Sequence, residues 1–475
     1  MATAGHNPID LATINDVLTN YYIPRMWELI KVEAPGFARM GNLSDLVNWG
    51  PGKTGSFPVR TKAKRGMVGG TSGRLPKAGK PSYDMTSVDY TVFRQLIEFA
   101  WDAKLASTHE RYIKNLLDMA IKDVKDEYLR RFNTYLYTKD NVIARLSADT
   151  AVDDTTCTVM HPWNDGGGAN SYMPWGAQWL QEGDCVAFHD GDNNIVDYHT
   201  IASINRAAYN PGAGSGSATL TLGAGESFRG IFDALVNPGD AVSNVTVHHA
   251  AVHDALLGMA TGGTDSPHAD TGDGLELNDR NAGMLGIGNI LDDDPYIDVP
   301  RDSFWKSVGL GNSGTLRALT IQLVDELLMK MNEETFTRPD MLIMNGGMWH
   351  EYADLRTAGL NQHQFQNQQT IPVGHAPGAR PRYFTVRATE GQGDLEVLVD
   401  PYAPHNHVIA ADSKELGYAE VYAMAEAKDD GSFLRIAGDS YDEWYGFFRW
   451  AGQFLATSPS SVGTLKDISQ DIISL

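Results

Sequence analysis

Two short motifs suggest phosphate or zinc chemistry, and each lacks a residue that the chemistry requires. Gly52-Lys53-Thr54 resembles the end of a phosphate-binding loop, but Val47 stands where such a loop needs its first glycine. His350-Glu351 would begin a zinc-binding helix only if position 354 were histidine, and that residue is Asp354. The sequence therefore supports neither site.

Two further segments could hold a metal ion. Residues 190–194 (DGDNN) begin like a calcium loop, but Ile195 and Ile201 occupy the positions that need glycine and glutamate. A group of histidines also lies close in sequence: His248, His249 and His253. No second set of ligands accompanies them, so core or surface histidines are favoured over a metal site. We expect no metal and no cofactor.

Residues 309–314 (GLGNSG) match the glycine pattern that opens a helix in dinucleotide-binding folds, and a buried strand is predicted beyond it at 341–344. Asn345 replaces the acid that would hold the ribose. The preceding residues 302–308 are also too polar for a central parallel strand. A glycine-rich turn into a helix at 315–334 is favoured. A nucleotide-binding enzyme using Gly309 to Gly314 is the alternative from another functional class.

The chain is organised around a long amphipathic helix predicted at 107–137. Ser107 and Glu110 have the spacing of a capping pair. One side carries a narrow apolar stripe: Ile113, Leu117, Ile121, Val124, Tyr128, Phe132 and Tyr135. The other side carries opposite charges four residues apart: Glu110–Lys114, Asp118–Lys122, Asp126–Arg130 and Glu127–Arg131. Such a rod, roughly 45 Å long, suits the face of a flat domain, although an ordinary large enzyme could also contain it.

A basic segment precedes this helix. Residues 53–83 contain no acid and eight basic residues: Lys53, Arg60, Lys62, Lys64, Arg65, Arg74, Lys77 and Lys80. Alternating residues before and after a glycine-rich tip predict a two-stranded hairpin, and a shift of phase at Phe93 suggests a bulge. We interpret the hairpin as lying across the acidic surface of another copy of the chain. A solvated basic loop and a nucleic-acid-binding finger are the alternatives.

The rest of the chain is acidic. The net charge is −22, from 38 basic and 60 acidic residues, which disfavours a protein that grips nucleic acid through phosphates. Residues 265–302 supply candidate acidic partners for the basic hairpin: Asp265, Asp270, Asp273, Glu276, Asp292, Asp293 and Asp294. No secretory leader and no membrane span are expected. Cys157 and Cys185 are expected to be free thiols in a reducing cytosol.

Residues 142–247 have a different sequence pattern, in which short strand-like runs are separated by turn residues. They predict a β-rich insertion whose two ends lie close together. Further strands are predicted at 384–387, 395–399, 407–410 and 444–454, and a polar tail from Ser458 onward.

The order of these elements, together with four local runs, resembles the major capsid protein family of tailed bacteriophages. The runs are 297–306 (IDVPRDSFWK), 338–343 (RPDMLI), 397–402 (VLVDPY) and the aromatic strand at 444–448 (WYGFF). The resemblance implies an α+β, Hong Kong 97-like capsid fold. Its parts would be an N-terminal arm (1–48), an extended loop (49–104), a spine helix (105–141), the β-rich insertion (142–247), a peripheral acidic segment (248–302), an axial domain (303–430), and closing strands with a C-terminal tail (431–475).

The resemblance also implies a function without catalysis. Many copies would assemble through pentamers and hexamers into an icosahedral shell, in the cytoplasm of a bacterial host. A separate scaffolding protein, a portal and cement or decoration proteins would be partners, and packaged DNA would be touched only non-specifically. Some relatives crosslink a loop lysine to an asparagine of a neighbour, and Lys64, Lys77 and Lys80 are the loop lysines that could be placed for such a crosslink. An encapsulin-type compartment shell is the alternative within the same fold.

Overall fold

The computed structural model describes residues 35–50, 54–62, 82–100, 110–146, 154–163, 177–189, 195–205, 218–224, 227, 245–249, 284–292, 295–297, 299–300, 305–360, 383–387, 394–426, 435–436 and 443–469. Within them the chain mixes helices with four β-sheets, so the α+β class is confirmed. None of the described helices combines the length and apolar character that crossing a bilayer requires.

Five α-helices occur in the described part of the chain: α1 (Pro35–Arg39), α2 (Glu110–Tyr137), α3 (Ile287–Asp292), α4 (Ile321–Thr335) and α5 (Gly346–Leu360). Helix α2 confirms the predicted long helix, and the second half of its predicted stripe, from Ile121 to Tyr135, is buried. The capping residue Ser107 lies outside the described residues. Helix α4 begins six residues later than predicted, at Ile321, because Thr320 caps it by accepting from the Leu323 N–H.

The strands before residue 250 are β1 (Gly41–Asn42), β2 (Asn48–Trp49), β3 (Thr54–Lys62), β4 (Ser82–Asp89), β5 (Thr91–Ala100), β6 (Ala144–Leu146), β7 (Thr156–Met160), β8 (Cys185–His189), β9 (Ile195–Asn205), β10 (Ala218–Leu222) and β11 (Thr246–His249). The later strands are β12 (Val308–Leu310), β13 (Met341–Met344), β14 (Tyr383–Arg387), β15 (Asp394–Val399), β16 (Val408–Ala411), β17 (Leu416–Glu426), β18 (Arg435–Ile436), β19 (Glu443–Ala456) and β20 (Val462–Leu465).

Helix α2 lies on a sheet built around β19. Strand β5 pairs with one edge of β19, while β17 and β18 pair with the other, and β1 extends the sheet beyond β17. The Phe132 ring stands edge-on to Trp450 at 4.9 Å between centroids, and the Tyr128 hydroxyl donates to the Phe448 carbonyl at 3.1 Å. Aromatic packing therefore fixes the rod to the sheet.

The basic segment forms an antiparallel hairpin of β3 and β4, with β2 added beside β3. The predicted bulge at Phe93 is wrong. Strand β4 ends at Asp89, and β5 begins at Thr91 as a member of the β19 sheet, so the shift of phase marks a change of sheet. One residue between two strands on different sheets produces the same break in alternation as a bulge does.

Six strands between residues 144 and 249 close into a barrel, in the order β10-β7-β6-β11-β8-β9. Its first and last strands are paired, and the Ile143 N–H donates to the Val247 carbonyl at 2.9 Å. Cys157 and Cys185 both lie in this barrel and neither is in a disulfide bond, and burial raises the pKa of Cys157 to about 12.

A six-stranded mixed sheet has the order β12-β20-β16-β13-β15-β14. Both of its faces are covered: Leu342 and Met344 pack with helices α4 and α5, and Met341 and Ile343 pack into the core shared with α2 and the barrel. Burial on two sides explains the unbroken apolar run of β13. Strand β17 belongs to the β19 sheet rather than to this one, although it lies within the predicted axial range.

The prediction of a polar tail from Ser458 is wrong. Residues 459–461 form a 3₁₀ turn, and β20 is inserted between β12 and β16 with Val462 and Leu465 fully buried. Gly463 contributes to the fit, because a Cβ there would stand 2.5 Å from the Met331 sulfur of α4. The run VGTL is too short and too rich in small residues to stand out from a polar tail by periodicity.

A chain ending at Ser458 should fail to fold, whereas a chain ending at Ser469 should retain the wild-type fold. The shorter chain loses Val462, Leu465 and Ile468 from the core, about 5–9 kcal/mol of apolar burial, which is comparable to the whole stability of a typical domain. Circular dichroism and thermal melting of the two purified chains would test this. A cooperative, wild-type-like transition of the shorter chain would contradict the role given to β20.

Candidate functional site

The glycine-rich segment 309–314 is not a nucleotide site. Gly309 lies in the edge strand β12, and Ser313 and Gly314 form a left-handed turn with φ of 54° and 76°. The Asp467 Oδ2 atom accepts from the Asn312 N–H at 2.6 Å and from the Gly314 N–H at 3.1 Å. A carboxylate of the chain itself thus occupies the backbone donors that a phosphate would need.

The histidines do not form a metal site in the described part of the chain, where no group of three or more His, Cys, Asp or Glu residues is arranged to hold an ion. His248 packs against His189 with 4.2 Å between ring centroids, and its Nε2 is 2.9 Å from the Thr246 hydroxyl. Burial holds the pKa of His249 well below its usual value. His253 and the acidic run 190–194 lie outside the described residues.

The basic hairpin carries the predicted interface residues. Arg60 and Lys62 lie in β3, with their Cα atoms paired to Tyr83 and Ser82. The other predicted basic residues lie outside the described residues: Lys53, Lys64, Arg65, Arg74, Lys77 and Lys80.

The described hairpin has one buried and one exposed side. Phe57, Val59 and Val88 are buried in the main core. The opposite side, here called the hairpin face, consists of Pro58, Tyr83 and Met85. Pro58 and Met85 are cross-strand partners, Tyr83 is 61% exposed and Met85 is 68% exposed. Large apolar side chains this exposed, next to a basic segment, are typical of a surface that contacts another molecule.

Of the predicted acidic partners, the structure describes Asp292. It is the last residue of α3, and its carboxylate lies 3.5 Å from the Lys466 ammonium of the same chain. The remaining candidates lie outside the described residues: Asp265, Asp270, Asp273, Glu276, Asp293 and Asp294.

A buried junction that the sequence reasoning missed joins α2, the barrel and the six-stranded sheet. Arg130 was predicted to pair with Asp126 on the solvent side of α2. It instead reaches Asp184 of the barrel at 2.6 and 2.8 Å, and both side chains are only 7% exposed. Arg130 also donates to Glu127 at 2.9 Å.

The charges in this junction are mutually stabilised. Burial alone would raise the pKa of Glu127, but Arg130 and Arg131 outweigh it and hold that pKa below its usual value. Burial likewise disfavours the charged form of Arg130, and Asp184 and Glu127 outweigh it and raise its pKa. Glu127 and Arg130 therefore stay charged inside the protein.

Side chains of the barrel also reach the carbonyls of neighbouring elements. The Trp163 indole donates to the Tyr137 carbonyl at 2.8 Å, and the Trp179 indole donates to the Tyr402 carbonyl at 2.9 Å. The Tyr137 hydroxyl at the end of α2 donates to Asp400, which follows β15, at 2.8 Å. Each donor connects two different elements, so the junction holds the barrel in one orientation.

Three histidines lie in the same junction. The Asn345 amide oxygen accepts from the Met348 N–H and so caps helix α5, which leaves the amide nitrogen to donate to His405 Nδ1 at 2.9 Å. His407 Nδ1 donates to the His405 carbonyl at 3.0 Å. Burial holds the pKa of His161 well below its usual value, with His405 and His407 adding to the effect.

Comparison with known proteins gives matches to solved structures alone, since no protein-family model and no curated protein matches the sequence. A chain of the cyanophage A-1(L) capsid asymmetric unit is 12% identical, with a TM-score of 0.45, covering 92% of this chain and 93% of that one. The capsid of a native GTA particle is 9% identical, with a TM-score of 0.36, over 90% and 89%. The capsid of Myoviridae phage XM1 is 8% identical, with a TM-score of 0.35, over 88% and 86%.

All three are capsids. The matches to them extend along most of the length of this chain. Because each TM-score is below 0.5, the function proposed below rests on the contacts within this chain.

Replacing Arg130 by Met should lower the free energy of unfolding by about 3–5 kcal/mol, because the buried Asp184 would lose its ion-pair partner. The double variant Arg130→Met, Asp184→Asn should be more stable than the single variant, since the Asn oxygen can still accept from the Gln181 N–H and both charges of the pair are removed together. Urea unfolding would measure both. Arg131→Met, which alters a more exposed pair, is the control, and an equal loss there would contradict the special role of Arg130.

Acidification should destabilise the fold between about pH 6.5 and pH 4. Burial lowers the pKa of His407 to about 4, whereas an unfolded histidine titrates near 6.5. The unfolded chain therefore binds the proton first, so the stabilisation is complete above pH 6.5 and is lost as pH falls toward 4. Urea unfolding at several pH values from 7.5 to 4.5 would measure this. The free energy of unfolding should fall less with acidification in His407→Gln than in the wild type. The exposed His350→Gln is the control and should follow the wild type.

Proposed function

We propose that this chain is a major capsid protein of a tailed double-stranded DNA bacteriophage, with a Hong Kong 97-like fold, that assembles as pentamers and hexamers into an icosahedral head. The observation that carries the proposal is the hairpin face, with Tyr83 and Met85 exposed beside the basic segment of an acidic chain. A face that is apolar and flanked by positive charge fits a second, acidic copy better than it fits water.

The contact would be heterologous, because the hairpin of one copy meets a different surface on the next. Heterologous contacts close into rings when the rotation between copies allows it, and rings of five and six build a shell. Each exposed charge pair contributes only about 0–1 kcal/mol, and burying Tyr83 and Met85 adds about 1 kcal/mol each. Weak contacts repeated around a ring would select register and orientation.

The buried junction supports this role. A subunit must present its hairpin and its acceptor surface at a constant angle, and Arg130, Asp184 and the indole donors hold three elements together without solvent. The barrel of residues 144–249 would decorate the outer surface. The acidic segment 265–302 is a candidate for part of the surface under the neighbouring hairpin. Asp292 within this segment also forms an ion pair with Lys466 of the same chain.

The remaining partners follow from the same proposal. A separate scaffolding protein would guide assembly in the cytoplasm of the host, and a portal and cement proteins would complete the head. With a net charge of −22, the inner wall would bind packaged DNA only non-specifically. The chain would act as a structural subunit and not as an enzyme.

Reversing Arg60, Lys62, Lys64 and Arg65 to Glu should leave the subunit folded and abolish shells, because the loop would then repel its acidic neighbour. Electron microscopy and sedimentation of the expressed protein would measure assembly, and thermal melting would check the fold. The charge-conserving variant, in which the same four residues exchange Lys for Arg and Arg for Lys, should assemble. Normal particles from the charge-reversed variant would refute the role of the loop.

A further inference from the structure

Helix α4 presents an acidic and apolar strip that no described element of the chain covers. The strip, here called the α4 strip, consists of Glu326, Met329, Glu333 and Phe336. The first three lie on one exposed side of the helix, and Phe336 follows its last turn. Met329 is 51% exposed, and Phe336 is 83% exposed. The opposite side of the helix packs onto β12, β20 and α5.

Phe336 has two unfavourable features in an isolated chain, its backbone conformation and the exposure of its ring. It caps the C-terminus of α4 in the left-handed conformation, with φ of 59° and ψ of 18°. Glycine or asparagine ordinarily occupies this position, because a bulky side chain is strained there. The exposed ring gains no burial that would offset the strain. Burial of the ring against another molecule would offset this strain.

The charge of the strip narrows the choice of partner. Glu326 and Glu333 are exposed beside Met329. The neighbouring lysines point elsewhere: Lys306 and Lys330 lie 3.1 and 3.9 Å from the carboxylate of Glu334. The strip is thus negative and apolar, which favours a partner that is positive and apolar.

The chain itself contains a surface of that description. The hairpin face is apolar, and the segment that continues from it, residues 60–80, holds seven basic residues and no acid. Tyr83 and Met85 of the hairpin face and Met329 and Phe336 of the α4 strip are all exposed in one molecule, so these described residues do not cover one another there. A second copy is therefore the occupant that fits by both charge and apolar character.

We propose that the α4 strip of one copy receives the basic hairpin of a second copy, with Phe336 packing against the hairpin face and Glu326 and Glu333 meeting the basic segment. This rests on the proposed function and deepens it by naming a surface under the hairpin. It places the contact on the six-stranded sheet domain, in addition to the acidic segment 265–302.

Two strip variants test the contact. Phe336→Gly should melt no lower than the wild type, because glycine suits the left-handed position, and yet it should lose particle formation. Glu326→Lys combined with Glu333→Lys should also remain folded and lose particles. Asp123→Lys combined with Asp126→Lys, an equal change of charge on the exposed side of α2, is the matched control and should assemble. Particle yield would be measured by sedimentation and electron microscopy.

The outcomes separate this inference from the proposed function. Folded strip variants that assemble at wild-type yield, while the reversed loop does not assemble, would overturn the inference and leave the proposed function standing. A control that loses particles as fully as the strip variants would also overturn it, since net charge would then explain the loss. Loss in both strip variants with an assembling control is the expected result.

Discussion

The structure depends on one buried ion pair and the hydrogen bonds around it. Arg130 and Asp184 come from elements 54 residues apart in sequence and are held 2.6 Å apart almost without solvent. Removing two charges from water is costly, and only close partners and additional hydrogen bonds make such a pair tolerable. A different placement of the barrel on α2 would separate Arg130 from Asp184 and lose the two hydrogen bonds between them. The pair therefore acts as a constraint on orientation more than as a source of stability.

The hairpin is held in place by the same core that the junction adjoins. A two-stranded hairpin is marginal alone, and here its inner side shares the main core through Phe57, Val59 and Val88. Its outer side then stands at a fixed angle to α2 and the six-stranded sheet. In the proposed assembly a fixed angle would matter, because each subunit would have to meet its neighbour in the same way around a closed ring.

Local patterns in the sequence predicted the elements whose signal is periodic. Helix α2, strand β13 and the β3–β4 hairpin follow from stripes, apolar runs and alternation, and the described structure contains them. The partner of Arg130 could not be predicted, because Asp126 has the right spacing in sequence and Asp184 is close only after folding. Strand β20 was missed for a related reason: residues 462–465 (VGTL) pair along both edges with strands β12 and β16, which are far away in sequence. Pairing between residues far apart in sequence produces no local sequence pattern. The tip of the predicted hairpin lies outside the described residues.

The position of β20 also determines where α4 lies. Helix α4 packs onto β20 and β12, and β20 is the strand that joins β12 to β16 in the six-stranded sheet. Asp467, just beyond β20, accepts from backbone N–H groups in the turn after β12, so residues 462–467 hold both the sheet and the loop that leads to α4. Without these residues β12 loses its strand partner and α4 its support. The α4 strip therefore takes its final place only after a strand far away in sequence has been inserted, because local helix formation alone does not position α4 on the sheet.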